Sequence, residues 1–324
     1  MPGGHGGWKP LEDGSGTGWK ETSQTELNFY TSIYKAPTDG RDGPWDINPE
    51  ASHLQGLVPE FYGSRTTEDG KIEIRIEDIT HGIKTPATME TSLGEGPALE
   101  GPALETHGVE EHDIEENPVQ APTADGQVAK ASLMDVKVGG STASRKELMH
   151  GGMSTTQAWI KKQKMDIADH VTKSAERGYR VIAASGETDN RTALARQEPR
   201  GVFGRFFAND PQRLHSAGGK LEQLQQAVDQ GSHTFIGSSV LFCHDKADPQ
   251  KEPRMLLIDF GHTHARGAVQ GLNDDKYQGH FSTGLRNLRN ELDGARRNVQ
   301  RDTRRASQEG ERVNELQRPG SPRR

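Results

Sequence analysis

The sequence predicts an α+β domain that is interrupted by a disordered acidic insertion and followed by a disordered basic tail. Three observations lead to this prediction. Segments with the two-residue period of strands alternate along the chain with segments that have the 3.6-residue period of helices. A low-complexity acidic stretch separates residues 1–86 from residues 132–292. Arginine is frequent in residues 293–324.

The composition limits the class of protein. Only 31% of the 324 residues are hydrophobic and the mean hydropathy is −0.85, values that favour sizeable disordered parts. The single cysteine, Cys243, cannot form an internal disulfide, which is typical of a reducing compartment. The N-terminus lacks a signal pattern, and apolar runs such as residues 255–258 are too short to span a bilayer. We therefore expect a soluble, intracellular protein of the cytoplasm or nucleus that does not bind membranes. We also expect a monomer. The net charge of −7 gives no reason to expect nucleic acid as the main partner.

Residues 1–86 are predicted to form short strands, turns and one helix. The turn-forming cluster at residues 13–16 predicts a hairpin over residues 7–20. A short helix is predicted over residues 25–33. Residues 71–76, with the sequence Lys-Ile-Glu-Ile-Arg-Ile, alternate as a half-buried strand does.

Residues 87–131 are predicted to be a disordered acidic insertion. They contain the tandem repeat Gly-Pro-Ala-Leu-Glu at residues 96–105 and several glutamates, with no lysine or arginine before Lys130. Such a segment cannot bury enough apolar area to offset the entropy that is lost on ordering.

Residues 132–292 are predicted to be globular again. Strands are expected at residues 133–138, 235–242 and 255–260, with the last two forming a hairpin across the polar residues 245–253. Helices are expected at residues 156–177, 221–229 and 285–292, and Gly178 and Gly231 are the stop signals of the first two. The arginine-rich residues 293–324 are interpreted as a solvated, frayed end, with a weak anion-binding or nucleic-acid-binding arm as the alternative.

The first string that could carry chemistry is Met-Asp-Val-Lys-Val-Gly-Gly at residues 134–140. In a strand, Asp135 and Lys137 project from the same face, and the glycines that follow let the backbone turn sharply. The pair has two interpretations: an ordinary ion pair at a strand end, or an acid that positions a hydroxyl beside an ammonium that binds phosphate.

The second string is Leu-Leu-Ile-Asp-Phe-Gly-His-Thr at residues 256–263, in which an apolar strand ends at Asp259. Phosphoryl transfer needs a carboxylate that holds magnesium against the nucleotide phosphates, and a strand end mounts it rigidly. Alternatively, Asp259 merely ends the strand. A protein kinase would also need a His-Arg-Asp catalytic loop and a spaced glycine-rich loop, and neither these nor a Walker lysine loop is present in the sequence.

Taken together, the motifs resemble those of the inositol polyphosphate kinase family over roughly residues 4 to 292. Residues 133–139 resemble the family signature Pro-x-x-x-Asp-x-Lys-x-Gly, residues 237–242 its Ser-Ser strand, and residues 258–263 its Ile-Asp-Phe-x-His motif. Smaller matches, in the order of the chain, are Gly4-His5, Trp19-Lys20, Glu26 with Phe29-Tyr30, residues 58–63, the hinge-like residues 76–82, Gly178-Tyr179-Arg180-Val181 and residues 284–288.

The resemblance implies a two-lobed α+β fold like that of protein kinases and ATP-grasp enzymes, with an ATP-dependent, magnesium-dependent active site between the lobes. Residues 1–86 would be the N-lobe and residues 132–292 the C-lobe. The resemblance implies that Lys20 pairs with ATP phosphates and that the backbone of Glu77 and Ile79 binds the adenine, with Asp78 between them in the nucleotide site. Asp135 would lie where nucleotide and acceptor hydroxyl meet, and Lys137 would contact the inositol phosphate and the transferring group. Asp259 would hold magnesium, with Ser239 as a second metal ligand and His262 nearby.

The inositol polyphosphate acceptor is highly anionic, so its site is expected to need a basic wall, that is, a surface of lysine and arginine side chains. Lys161, Lys162 and Lys164 lie on the predicted helix after the signature, where the family also carries basic residues, and Arg180 is a further candidate. The alternative for the three lysines is a solvated helix face.

Two features leave the specific activity open. The signature proline is replaced by Ala131, while Pro86 stands at the right distance after the hinge, as if the insertion had parted hinge from catalytic strand. The Met-Asp-Val-Lys string and Arg205-Phe206-Phe207 favour a multikinase, whereas Thr80-His81-Gly82 favours a hexakisphosphate kinase that makes pyrophosphates. Two alternatives of other classes remain: a non-catalytic inositol-phosphate-binding scaffold, and nucleic-acid binding through the arginine-rich tail.

Overall fold

The computed structural model of the chain describes residues 8–38, 43–83, 121–122, 128–129, 132–139, 149, 154–185, 187, 191–248 and 250–317. Its strands are β1 (Trp8–Pro10), β2 (Thr17–Thr22), β3 (Tyr34–Lys35), β4 (Asp46–Ile47), β5 (Phe61–Thr66), β6 (Ile72–Glu77), β7 (Ala121–Pro122), β8 (Val128–Ala129), β9 (Ser132–Val138), β10 (Tyr179–Ala184), β11 (His233–Thr234), β12 (Ser239–His244), β13 (Arg254–Ile258) and β14 (His264–Ala265). Its helices are α1 (Gln24–Ile33), α2 (Thr155–Thr172), α3 (Ser174–Arg177), α4 (Arg191–Arg196), α5 (Pro199–Phe206), α6 (Pro211–Gln230), α7 (Asp274–Gln317) and a 3₁₀ helix, Pro49–Leu54.

The N-terminal half is an antiparallel sheet with the strand order β1-β2-β6-β5. The hairpin β1–β2 and the alternating strand β6 confirm the sequence prediction. Helix α1 follows β2 directly because Ser23 caps it, the Ser23 hydroxyl accepting a hydrogen bond from the Glu26 backbone N–H. This cap places Glu26 in the first helical turn, six residues after Lys20.

The C-terminal half contains a second antiparallel sheet, with the order β10-β9-β12-β13. The predicted hairpin of β12 and β13 is confirmed. Strand β9 lies in the interior of this sheet and buries Met134, Val136 and Val138 in the main core. Because side chains alternate along a strand, Asp135 and Lys137 lie together on the other face. The sheet thus has one apolar face and one face that becomes polar toward the end of β9.

The two halves share one core. Phe260, just after β13, stacks on Phe29 of α1 with the ring centroids 4.0 Å apart, and the Leu257 N–H donates to the Leu57 carbonyl at 2.7 Å. The main apolar cluster contains buried residues of both sheets. The predicted two-lobed domain is therefore one packing unit, and the segment after β13 is where its halves meet.

Two glycines explain two of the sequence motifs. Gly178 ends α3 in the left-handed region, with φ 74°. It lies against Gly284 of α7, where an added Cβ would be only 2.1 Å from the Gly178 carbonyl oxygen. Only glycine allows two backbones to approach this closely, and the contact fixes α7 against the start of β10.

The C-terminal helix differs from the prediction. The sequence predicted a helix over residues 285–292 and a disordered tail over 293–324, but α7 runs from Asp274 to Gln317, so the tail is helical over residues 293–317. Buried Phe281, Leu285, Leu288 and Leu292 anchor the helix in the core. The helix continues because no proline interrupts it before Pro319, and residues 301–314 are exposed on all sides. Residues 318–324 lie outside the described part of the chain.

Other boundaries also differ from the prediction. The predicted helix at residues 156–177 is two helices, α2 and α3, because Lys173 adopts the left-handed conformation with φ 56°. The helix predicted at residues 221–229 is the second half of α6, which begins at Pro211 behind an Asp210 cap. Helices α4 and α5 were not predicted.

The acidic insertion predicted at residues 87–131 lies outside the described residues apart from its last part. There, β7 and β8 pair antiparallel as a minimal hairpin, with Ala121 opposite Ala129. In the part of the chain that is described, no helix combines the length and apolar character that crossing a membrane requires.

Candidate active site

The polar end of the C-terminal sheet brings three of the predicted residues together. Lys137 on β9 has its Nζ 4.0 Å from the Oδ2 of Asp259, which follows β13. Both side chains are about one-third exposed. The next residue, Phe260, packs on Phe29 of the N-terminal half, so the pair lies at the exposed junction of the two halves, here called the cleft. Asp135 lies two residues before Lys137 on the same face but is 2% exposed. The cleft therefore contains one buried and one accessible carboxylate with an ammonium group beside them.

The Asp135 carboxyl group has a raised pKa. Burial raises its pKa to about 7, while a hydrogen bond from the Ser239 hydroxyl and the charge of Lys137 oppose that rise. Its Oδ1 atom is buried and has no hydrogen-bond partner among the described residues. An unsatisfied buried carboxylate oxygen is costly for folding, and it leaves Asp135 able to exchange a proton near neutral pH.

Asp259 is held by a special backbone conformation. Its φ of 66° places it in the left-handed region, which aspartate tolerates better than most residues. This conformation turns the chain immediately after β13, and Gly261 follows. On the opposite side, Gly237, with φ 67°, packs against Lys137, since an added Cβ would lie 3.3 Å from the lysine Cε. Two backbone turns therefore frame the Lys137 ammonium and the Asp259 carboxylate.

Lys20 is tied to this site through Glu26. The Lys20 Nζ donates to both carboxylate oxygens of Glu26, at 2.9 and 3.0 Å, and the Thr22 hydroxyl donates to one of them. The same carboxylate accepts the backbone N–H of Phe260 at 3.3 Å. Because Glu26 is only 4% exposed, it acts as a buried connector between the lysine of the N-terminal sheet and the backbone beside Asp259.

The predicted hinge residues lie where β6 leaves the N-terminal sheet. The Asp78 carboxylate accepts from the backbone N–H and the hydroxyl of Thr80, which closes the turn. Ile79 is 1% exposed and packs with residues of β12 and β13. Arg254, the first residue of β13, forms an ion pair with Glu77 and donates to the Ile79 carbonyl at 2.8 Å. The hinge is thus fixed by its own turn and by the C-terminal sheet.

The predicted basic wall is placed only in part. Arg180 on β10 is the cross-strand neighbour of Lys137, so it belongs to the same row of the sheet. Lys162 on α2 forms an ion pair with Asp166, while the side chains of Lys161 and Lys164 lie outside the described part of the structure. Lys161 and Lys162 lie about one turn after Ala158, and Lys164 nearly two turns after it. Ala158 is buried against Ile236, the residue before Gly237. That contact anchors the start of α2 beside the loop that borders Lys137.

The oxygen donors at the site fit a small, hard divalent cation. Ser239 is the cross-strand neighbour of Lys137 and pairs with Ile258, the residue before Asp259. Within the described ranges, no group of three or more histidine, cysteine, aspartate or glutamate side chains is arranged to hold a metal ion. Mg²⁺ needs no such group, since it usually takes one or two carboxylates and completes its shell with water and phosphate oxygens. Asp259 and the unpartnered oxygen of Asp135 are fitting donors. The Ser239 hydroxyl donates to Asp135 but keeps its oxygen lone pairs, so its role as a metal ligand stays a prediction.

Two connections of the site were not predicted from the sequence. Arg254 was not identified as a site residue, although an arginine at the start of an apolar strand was visible. Glu26 was noted only as part of a helix motif, and its contact with Phe260 spans 234 residues. His262, predicted to lie near the phosphates, follows Gly261 directly, and its role stays a prediction.

Comparison with known proteins gives two findings. A model of the inositol polyphosphate kinase family matches residues 125–293, and a comparison with curated protein sequences found no match. Among solved structures, the fold is similar to the crystal structure of inositol phosphate multikinase Ipk2 from S. cerevisiae in complex with ADP and Mn²⁺. The TM-score is 0.51 at 16% sequence identity, covering 85% of this chain and 97% of that chain. At this identity the likeness concerns the fold, and it extends to the N-terminal half, which the family match does not include.

Proposed function

Because this chain belongs to the inositol polyphosphate kinase family, we propose that it transfers the terminal phosphoryl group of ATP to a hydroxyl of a soluble inositol polyphosphate. The observation that carries this proposal is the set of contacts that links Lys20 through Glu26 to the Phe260 N–H, and Asp259, the residue before Phe260, to Lys137. The charges of Lys137 and Asp259 also act on the buried Asp135 carboxyl group. These contacts place cationic and anionic groups from both halves of the fold at one cleft.

The arrangement suits phosphoryl transfer because that reaction depends mainly on positioning and charge. The transferring group spreads negative charge over its oxygens, so accessible ammonium groups stabilise it. Lys137 is one-third exposed and flanked by Gly237, which leaves room for a phosphate beside it. Lys20 is assigned to the nucleotide phosphates, with Glu26 holding its ammonium group in place.

Asp135 is assigned to the acceptor hydroxyl. A carboxyl group with a pKa of about 7 is divided between its two protonation states at neutral pH, which is the condition under which a group accepts a proton most usefully. Its Oδ1 atom, which lacks a partner among the described residues, is available to receive a hydrogen bond from the hydroxyl. Ser239 orients the group through its own hydrogen bond.

Asp259 would hold a divalent cation, with water and phosphate oxygens completing the shell of the ion. Such an ion, when bound, neutralises the charge of the nucleotide phosphates and polarises the transferring group. The left-handed backbone of Asp259 and its position at the end of β13 keep the carboxylate directed toward the cleft. At the other end, the fixed hinge of Glu77, Asp78 and Ile79 is assigned to the nucleotide base.

For the acceptor, we propose the broad specificity of a multikinase. Its support comes from the sequence strings at residues 134–137 and 205–207, together with a basic row of Lys137 and Arg180 beside the start of α2. Lys161, Lys162 and Lys164 are assigned to the acceptor phosphates on the same basis. A kinase of inositol hexakisphosphate is the alternative within the family, favoured by Thr80-His81-Gly82.

The test is a product analysis. Purified protein would be incubated with Mg²⁺-ATP and separate inositol tris-, tetrakis-, pentakis- and hexakisphosphates, and the products resolved by anion-exchange chromatography. Several accepted tris- to pentakisphosphates support a multikinase, whereas turnover of hexakisphosphate alone supports the alternative. If every member of the panel binds but none gains a phosphate, the protein is a binding scaffold and the proposed activity is wrong.

A further inference from the structure

Arg254 connects the hinge, residues 77–79, to strand β13, which Asp259 follows directly. One arm of its guanidinium forms an ion pair with the Glu77 carboxylate, and the Nη1 group donates to the Ile79 carbonyl at 2.8 Å. The arginine side chain is 33% exposed and that of Glu77 is 19% exposed. The planar fork of arginine suits this double contact, which a lysine could not reproduce.

The contact constrains the backbone of the hinge. Glu77 and Ile79 are two residues apart, and Arg254 holds the side chain of the first and the carbonyl of the second. The Ile79 side chain is buried against β12 and β13 residues such as Leu241 and Leu256. A second tether, from the Lys251 Nζ to the Gly82 carbonyl at 2.8 Å, holds the end of the hinge turn. The Ile79 carbonyl is therefore already bonded, and the peptide that contains it cannot rotate freely.

Strand β13 also fixes the distance between the two ends of the cleft. Arg254 begins the strand and Asp259 follows its last residue, so the two are separated by five residues, or roughly 17 Å of extended chain. The register with β12 is continuous from Cys243 opposite Arg254 to Ser239 opposite Ile258. A movement of the hinge residues relative to Asp259 and Lys137 would have to break the hydrogen bonds between β12 and β13 or the contacts of Arg254.

We propose that Arg254 is a positioning residue for the nucleotide, which sets the hinge at a fixed distance and orientation relative to Asp259 and Lys137. This inference rests on the proposed function, in which the hinge receives the base of ATP. Arg254 touches neither the transferring group nor the acceptor in this scheme. Its loss therefore weakens ATP binding far more than it slows the chemical step.

The experiment compares Arg254→Met, Arg254→Lys and a matched control. Arg200→Met removes another arginine–glutamate pair, that of Arg200 with Glu291 at 2.7 Å, which joins α5 to α7 away from the cleft. Initial rates would give kcat and the KM values for ATP and for the acceptor, and calorimetry would give the Kd for ATP. Arg254→Met is expected to raise the KM and Kd for ATP about tenfold or more, the effect of losing hydrogen bonds to a charged group. The acceptor KM should stay unchanged and kcat should stay within about threefold, in accord with a loss of binding rather than of transition-state stabilisation.

The lysine variant and a double mutant test whether Arg254 acts through its contacts with Glu77 and the Ile79 carbonyl. Arg254→Lys keeps the charge but can bond only one of the two partners, so an intermediate KM for ATP is expected. Glu77→Gln combined with Arg254→Met should be no worse than Arg254→Met alone, because the two residues act through one contact.

Two results would overturn the inference. An ATP KM for Arg254→Met equal to that of Arg200→Met would show that the hinge contact does not position the nucleotide. A fall in kcat with unchanged KM values and lowered thermal stability would assign Arg254 a purely structural role. Failure of the proposed function gives a different pattern, since the wild-type protein itself would then transfer no phosphate to any acceptor.

Discussion

The two ends of the cleft differ in how their polar groups are satisfied. At the hinge end, Glu77 and the Ile79 carbonyl are both bonded to Arg254, and Asp78 is bonded within its turn. At the phosphate end, Asp135 has a buried oxygen without a partner among the described residues, and Lys137 approaches Asp259 only to 4.0 Å. The hinge end therefore contributes to stability, while the polar groups of the phosphate end remain available to bind ligands.

The largest effect is expected at the accessible groups of the phosphate end. Asp259→Asn and Lys137→Met should each lower kcat by at least about a thousandfold, since each removes a charge that stabilises the transition state. Thermal stability should change little, because both side chains are about one-third exposed. Steady-state kinetics and thermal melts check this, with Asp69→Asn and Lys71→Met, on the exposed β5–β6 turn, as matched controls. Low activity that tracks a lowered melting temperature would contradict the assignment.

Asp135→Asn should lower kcat by roughly a hundredfold, the usual contribution of a general base. In the wild-type protein, kcat should rise with pH through about 7 as the Asp135 carboxyl ionises. The variant should lose this dependence along with the activity. A pH–rate profile from about pH 5.5 to 9 measures both effects, and an unchanged acid limb in the variant would assign the titration to another group.

The same substitution should also reveal the cost of the unsatisfied carboxylate. Burial raises the folded-state pKa of Asp135 from the ordinary 3.8 to about 7, so the folded state binds the proton more tightly than the unfolded state does. The stability from the protonated form is complete below about pH 4 and is lost as the pH rises to about 7, a change of roughly 4 kcal/mol. Asp135→Asn should therefore be more stable than the wild type at pH 8, with the difference shrinking toward pH 4. Denaturant unfolding at several pH values measures this, and a variant less stable than the wild type at pH 8 would contradict it.

Glu26→Gln should weaken the link between the ends of the site. It leaves the Lys20 ammonium without its buried counter-charge, which should lower kcat/KM for ATP about tenfold to a hundredfold and lower the unfolding free energy by about 3 kcal/mol. The acceptor KM should be unaffected. Kinetics combined with denaturant unfolding separate the two effects, and Glu21→Gln, which alters the exposed pair with Lys71, is the control.

The smallest effect is expected on stability at the hinge end. Arg254→Met should lower the unfolding free energy by about 1–2 kcal/mol, because it leaves the Ile79 carbonyl and the Glu77 carboxylate without their partner. Arg254→Met is thus expected to lower the unfolding free energy, whereas Asp135→Asn is expected to raise it at pH 8. Differential scanning calorimetry of the two variants at this pH would test the contrast directly.

The sequence was sufficient for the features that depend on local pattern. Alternation placed Asp135 and Lys137 on one face of β9, and an apolar run ending in Asp259 placed that residue at a strand end. It was insufficient for contacts that join distant segments, such as Arg254 with Glu77, 177 residues apart, and Glu26 with Phe260. The length of α7 was also missed, because a polar helix without an apolar stripe has no periodic signal. The break at Lys173 was missed because the left-handed conformation there is adopted by a lysine, not by a glycine that would have indicated a helix end.

The proposed kinase activity is tested most directly by the transfer of radioactive phosphate from γ-³²P-ATP. Wild-type protein, Asp259→Asn and the control Asp69→Asn would each be incubated with Mg²⁺ and an inositol polyphosphate that the wild type binds. Labelled product is expected from the wild type and the control, and at least about a thousandfold less from Asp259→Asn. Equal labelling by all three proteins would place the activity outside this cleft, and no labelling by the wild type would contradict the proposed kinase activity itself.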